Sequence, residues 1–312
     1  NMNRGFLITL AGGLACGLLF LAIRTGSPGA IALTYISAIP LLLVGLSKGL
    51  IPVLISSAIA IGCIFFGLHS KAVGIFLVIA VIPTIIVVRQ ALFSRQGIMP
   101  SEIEWYPIGL ILSWLTGCGL LILGIISIAV LGEAEGLSGA SKRLLQNVFS
   151  QVPASSPQAT ILIQVMAKYL TGMLLSVWLL ITIINATLAQ NILCRFGYAI
   201  RPRPAYSNFN LPGWMSIALA ISILSSLIPG LLGDVGRNAA PLLSTPFFLL
   251  GLAVIHNLSH RVALRGAVLA GVYILLIIVG WLSAIVVLLG VLEQWVSLRK
   301  RYTIPGGNQE NR

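Results

Sequence analysis

The chain has 312 residues, 58% of them apolar and 8% charged, with a formal net charge of +12. Ordinary soluble domains carry roughly 25% charged residues, so this composition excludes one and puts nearly all the mass in a bilayer. The lysines and arginines are dispersed at the ends of apolar blocks, with no dense basic stripe or interleaved aromatics, which excludes a nucleic-acid-binding surface.

Apolar blocks run about 6–23, 31–47, 49–68, 72–88, 107–131, 159–193, 213–232, 239–258 and 266–298. A bilayer core needs about 20 mainly apolar residues per helix, and runs such as "GIFLVIAVIPTIIVV" do not alternate as barrel strands do. The fold class expected is therefore all-α: a polytopic transmembrane helical bundle of nine or ten membrane helices, several of them proline-kinked. One transmembrane domain over residues 1–300 and a cytoplasmic tail over 301–312 account for the whole chain.

Arg4 before the first block gives it the look of a secretory signal, and "GLACG" around Cys16 looks like a lipoprotein site. The order of small residues is poor and more membrane blocks follow at once, so an uncleaved first helix is expected, with the glycines of "AGGLACG" serving close helix packing. Cys16, Cys63, Cys118 and Cys194 have no paired spacing and read as packing residues. Pro40, Pro52, Pro83, Pro229, Pro241 and Pro246 fall inside the blocks; each interrupts a helical ladder, and broken helices often line cavities in transporters. Between blocks, residues 89–106 carry Leu92 and Phe93 near Arg89 and Arg95, and a helix start is expected at Pro100-Ser101, with Glu102 and Glu104 in its first turn. Residues 132–158 form a polar outer loop in which Leu144, Leu145, Val148, Phe149 and Val152 are spaced for one face of a short amphipathic helix.

The last block spans 33 residues, about 50 Å as one straight helix, far longer than a crossing. Either it turns back near Gly280-Trp281, giving ten crossings, or one long tilted helix leaves nine. A cytoplasmic N-terminus puts Arg4, Lys48, Arg89, Arg95, Arg195, Arg201, Arg203, Arg261 and Arg265 inside, as the positive-inside rule prefers. The cluster Arg299, Lys300, Arg301 also belongs inside, which needs an even count and favours ten.

Chemistry-bearing residues are few. No carboxylate relay crosses the blocks; Glu293 is the nearest to one, and Arg299 and its neighbours are close enough to attract it. "HNLSH" puts His256 and His260 one turn apart, but Asn257 stands where a metalloprotease has its glutamate and no third ligand is evident, so they read as interfacial histidines and no metal is expected. No nucleophile, phosphate-binding or dinucleotide motif appears in a supporting context, so no catalytic residue and no cofactor are expected. Neutral polar and aromatic side chains remain: Tyr35, Ser37, Trp178, Asn185, Gln190 and Trp281 are candidate ligand contacts, since amides and indoles orient a ligand without the cost of buried charge.

The string "LITIINATLAQNILCRFGYAIRPRPAYSNFNLPGW", with "YISAIPLLLVGLSKG", "WYPIGLIL" and "GVLEQWVSLRKR" in the same order along the chain, resembles the YybS-like family of bacterial inner-membrane proteins, a domain of unknown function. That family is similar in turn to the substrate-binding membrane subunits of energy-coupling-factor transporters, where a proline and a Gly-basic-Gly turn join early helices; Pro40 and "SKGLIP" are the matching residues here. The resemblance implies a multi-pass inner-membrane protein with cytoplasmic termini that binds or helps transport a small molecule without its own energising domain. Its partners would be lipid, an energising or other cytoplasmic protein, and an unidentified ligand. The alternative is an envelope assembly factor that docks a cytoplasmic partner through Arg195, Arg201, Arg203, Arg261, Arg265, Glu293, Arg299, Lys300 and Arg301. The chain has more helices than such transporter subunits and lacks their small-residue docking motif.

Overall fold

The computed structural model describes residues 2–97, 103–133, 135–148, 157–206, 209–260, 264–296 and 299. The fold is an all-α polytopic bundle: α1 Met2–Leu21, α2 Pro28–Ile36, α3 Ile39–Lys48, α4 Leu50–Gly67, α5 Ser70–Phe76, α6 Ile82–Ala91, α7 Ile108–Ala129, α8 Gly136–Val148, α9 Pro157–Ala167, α10 Leu170–Phe196, α11 Trp214–Ser225, α12 Leu231–Ser259, α13 Arg265–Ile278 and α14 Leu282–Val296. Seven helical stretches are long and apolar enough to cross a membrane: Asn3–Thr25, Pro28–Lys48, Leu50–Gly67, Ser70–Ala91, Ile108–Ala129, Leu170–Phe196 and Leu231–Ser259. The shorter apolar helices α11, α13 and α14 complete the bundle among the described residues. The last block is broken at Val279–Trp281, where the turn was expected, although neither arm has the roughly 20 residues of a full crossing.

The punctuation is local chemistry. Ser27 caps α2 by accepting the Ala30 N–H (3.2 Å) ahead of Pro28, a residue suited to a first helical position. Gly49, with φ 97°, turns α3 directly into α4, a conformation L residues rarely adopt. Gly197, at φ 72°, ends α10, with the Tyr198 N–H returning to the Leu193 carbonyl (2.9 Å).

The "AGGLACG" glycines do serve close packing. A Cβ on Gly13 would strike the Ser56 carbonyl, and one on Gly17 would strike Cys63, so α1 and α4 run nearly in contact, joined by the Ser56 hydroxyl donating to the Thr9 carbonyl (2.7 Å). Gly251 and Gly290 do the same for α12 and α14, each facing backbone of the other helix.

Three expectations change. Pro100, Ser101 and Glu102 lie outside the described residues, but Glu104 belongs to no helix: Ile103–Trp105 (β2) pairs antiparallel with Ser94–Gln96 (β1), and Glu104 sits opposite Arg95 in an exposed ion pair (2.6 Å). Pairing along one edge holds this segment extended, and α7 begins only after Pro107. The amphipathic helix α8 starts earlier than expected, at Gly136, and buries the stripe Leu137, Ser141, Leu145 against the bundle while Leu144 and Val148 stay exposed; Phe149 and Val152 lie outside the described residues. The prolines are not all mid-helix kinks either. Pro40 opens α3 after the turn at Ser37–Ala38, and Pro83 follows the π-helical turn Leu77–Val81 within the uninterrupted helical span Ser70–Ala91. Pro52 sits in the first turn of α4, Pro229 lies between α11 and α12, and Pro241 and Pro246 are inside α12.

Candidate functional site

A proline withholds the N–H that would serve the carbonyl four residues earlier. For Pro83 that carbonyl is Ile79, within the π-helical turn Leu77–Val81, and the Trp178 indole N–H donates to it (3.0 Å). The chain also leaves the helix at Ser37–Ala38 before Pro40, and the Tyr35 carbonyl accepts from the Asn185 side-chain amide (2.8 Å). Trp178 and Asn185 are two turns apart on one face of α10. That helix therefore presents a polar stripe that supplies donors where α2–α3 and α5–α6 lose their own.

Tyr35, Ser37, Trp178 and Asn185 converge on one cavity of about 290 Å³, together with Pro83 and Thr182. Its polar groups are largely engaged inside the protein. The Ser37 hydroxyl donates to the Thr34 carbonyl (2.7 Å) and the Thr182 hydroxyl to the Trp178 carbonyl (2.9 Å), in addition to the two cross-helix bonds. What faces the space is chiefly hydrocarbon.

A second cavity, about 770 Å³, lies at the other end of the α10 stripe. It is bounded by α3, α6, α7, α10, α12, α13 and the segment after α10, and Gln190 lines it. The Gln190 amide donates to the Arg201 carbonyl (2.7 Å), which folds that segment back over the helix end. Arg201, 6% exposed, donates through Nη1 to the Ala91 carbonyl (3.3 Å), and its guanidinium lies 6.0 Å from the Trp105 ring centroid. Burial lowers the Arg201 pKa from its usual value, with Tyr206 opposing the shift; burial likewise raises Tyr206, against a hydrogen bond from Thr187.

On the far wall, His256 Nδ1 lies 3.0 Å from the Leu252 carbonyl and its Nε2 3.5 Å from the Tyr273 hydroxyl. Arg203, Arg265 and His260 complete the polar rim. Lys48, Arg89 and Arg195 lie in the last turns of α3, α6 and α10, where cations suit the helix dipole. Because Gly45 of α3 packs on Val88 of α6, and Arg201 ties α6 to α10, these helix ends share one basic end of the bundle.

The remaining candidates fall elsewhere. Trp281 is 68% exposed in the turn before α14 and lines neither cavity. Of the contact residues, Arg195, Arg203 and Arg265 are exposed, while Arg261, Lys300 and Arg301 lie outside the described residues. Glu293 and Arg299 face inward: the Arg299 Nε–Glu293 Oε1 pair (2.8 Å) is buried, and Arg299 Nη2 donates to the Phe209 carbonyl and Asn210 Oδ1 (2.9 and 3.0 Å). Glu293 is not among the residues lining the cavity that holds the two histidines. Among the described residues no group of three His, Cys, Asp or Glu could hold a metal ion.

Sequence reasoning missed Asn238. Its Oδ1 accepts the Gly172 N–H (2.9 Å) in the first turn of α10, and its Nδ2 donates to the Lys168 and Asp234 carbonyls (3.0 and 2.8 Å), so it caps one helix from another. An asparagine amid "GRNAAP" was the available signal. It missed Asn191, Thr187, Tyr206 and Tyr273 as well, because their shared cavity exists only once α10, α12, α13 and the loop meet. No curated protein and no solved structure matches the chain. One family model does, over residues 14–293, and it covers every transmembrane element just described except the start of the first: the chain belongs to the family described as predicted membrane protein (DUF2232).

Proposed function

We propose that this multi-pass membrane protein binds a small molecule in the 770 Å³ cavity at its basic end, as a transport-related subunit without an energising domain of its own. The cavity itself carries the reading. Its size is that of ligand sites, its deep wall is apolar (Leu46, Val87, Leu112, Leu115, Leu249) and a few polar groups converge at one side. The smaller cavity supports ligand binding less well, because its amide and indole donors already serve backbone carbonyls. The likeness to energy-coupling-factor substrate subunits belongs to this proposal, as do a bacterial inner-membrane location, a cytoplasmic basic end and a non-enzymatic role. The positive-inside distribution of Lys48, Arg89, Arg195, Arg201 and Arg203 supports that orientation.

The alternative of an assembly factor draws on the exposed Arg195, Arg203 and Arg265, but Arg201, Glu293 and Arg299 of the same contact set face inward. Arg201 is 6% exposed, and the Arg201 and Arg299 side chains are bonded inward, so the ligand reading is the better supported. The test is a thermal-shift panel of small amphiphiles on the purified full chain and on Ala186→Phe, which puts a ring into the cavity from α10. Saturable stabilisation of the natural chain that disappears in Ala186→Phe is expected. A panel without response, or a response unchanged by the substitution, overturns the proposal.

A further inference from the structure

The cavity's lining has a charge pattern that the binding proposal does not require. Arg201, Arg203 and Arg265 all reach it, with His256 and His260, and among its described residues there is no carboxylate. Arg203 and Arg265 make no hydrogen bond or ion pair with any described residue, and Arg201, though buried, is held by a carbonyl and a ring face rather than by an anion. Among the described residues five cations pair with carboxylates, and none of the five lines this cavity: Arg95 with Glu104, Lys142 with Glu135, Arg143 with Glu133, Arg237 with Asp234 and Arg299 with Glu293. The cavity thus gathers three guanidinium groups, Arg201 buried and Arg203 and Arg265 exposed, beside an apolar wall with no carboxylate among its described residues, and for buried Arg201 a charge left without a counter-ion is costly.

Asn191, whose Oδ1 is buried without a hydrogen-bond partner, also lines this space. Resting on the binding proposal, we infer that the ligand is an anionic amphiphile whose phosphate-type headgroup sits among Arg201, Arg203 and Arg265, with its apolar chain against Leu112, Leu115 and Leu249. Planar guanidinium forks match phosphate oxygens, and one headgroup among the three supplies the counter-charge that buried Arg201 lacks. α13 forms one side of this space and buries none of its residues, so the wall it contributes faces lipid directly and an acyl or prenyl chain reaches the cavity without crossing water.

The experiment uses the purified full chain in nanodiscs of phosphatidylcholine doped with phosphatidic acid, released into the gas phase for native mass spectrometry. Phosphatidic acid retained in preference to phosphatidylcholine, with Arg203→Gln plus Arg265→Gln lowering retention about tenfold and Arg195→Gln leaving it unchanged, is expected. Arg195 is an arginine at the same end of the bundle that does not line the cavity. Equal loss in the Arg195 variant reduces the effect to surface charge and overturns the inference. Competition by millimolar inorganic phosphate as strong as that by added phosphatidic acid would assign the site to free phosphate and overturn its lipid part. Retention of a neutral diacylglycerol equal to that of phosphatidic acid, blocked by Ala186→Phe, overturns the anionic part while the cavity reading stands. No retention of any of these together with a silent thermal-shift panel defeats both.

Discussion

Asn185→Leu keeps side-chain volume but removes the amide that serves the Tyr35 carbonyl at the α2–α3 break. A buried carbonyl stripped of its donor costs about 1–3 kcal/mol, whereas hydrogen bonds between membrane helices average about 0.6 kcal/mol and reach about 1.7. Asn185 is 4% exposed and the break leaves Tyr35 no regular helical partner, so the upper part of the membrane range applies and a loss of about 1.5 kcal/mol is expected. Trp178→Phe removes the matching donor to Ile79 and should cost about 1 kcal/mol. The two sites stand about 10 Å apart along α10, so their effects should add. Reversible unfolding in mixed micelles, followed by far-ultraviolet circular dichroism, measures all three variants, with Ile184→Ala on the exposed face of α10 as the reference. Single costs below about 0.3 kcal/mol, or a double variant no worse than either single, would refute the idea that α10 supplies the donors its proline-broken neighbours lack.

Asn238→Leu should cost more, about 2–4 kcal/mol in the same assay, because it unmakes three buried hydrogen bonds at once. Glu293→Gln removes the buried carboxylate paired with Arg299, and a loss of about 2–3 kcal/mol is expected from unfolding curves. For orientation, in a chain whose native cysteines are alanine, Ser94→Cys in the β-hairpin should react with an impermeant maleimide only from the cytoplasmic side, and Leu227→Cys only from the opposite side. Tyr206 has a folded-state pKa above its unfolded value, so its contribution to stability is whole below about pH 10 and is lost as pH climbs through the folded value. Tyr206→Phe should flatten that alkaline slope in stability measured against pH.

Much of the bundle could be read from apolar block length, because hydrocarbon thickness imposes it directly. The break near Gly280, the packing role of Gly13 and Gly17, and the attraction between Glu293 and the basic end of the chain were all visible in local pattern. The β-hairpin was not, since Glu104 suits a helix first turn as readily as a strand, and only pairing with Arg95 decides between them. Among the candidate ligand contacts, polarity alone picked Tyr35, Ser37, Trp178 and Asn185, which do meet, but composition cannot tell that the indole and amide donors are already engaged by carbonyls. The larger cavity draws on residues from Leu46 to Tyr273, a separation over which no periodicity survives.

The most direct test of the ligand-binding account is a cryo-electron microscopy map of the full chain extracted in its native lipids. Elongated non-protein density entering between α13 and α10, its head between Arg201, Arg203 and Arg265, is the predicted result. A cavity closed by Tyr206 and Tyr273 packing together, with Arg203 and Arg265 turned to water, would contradict it.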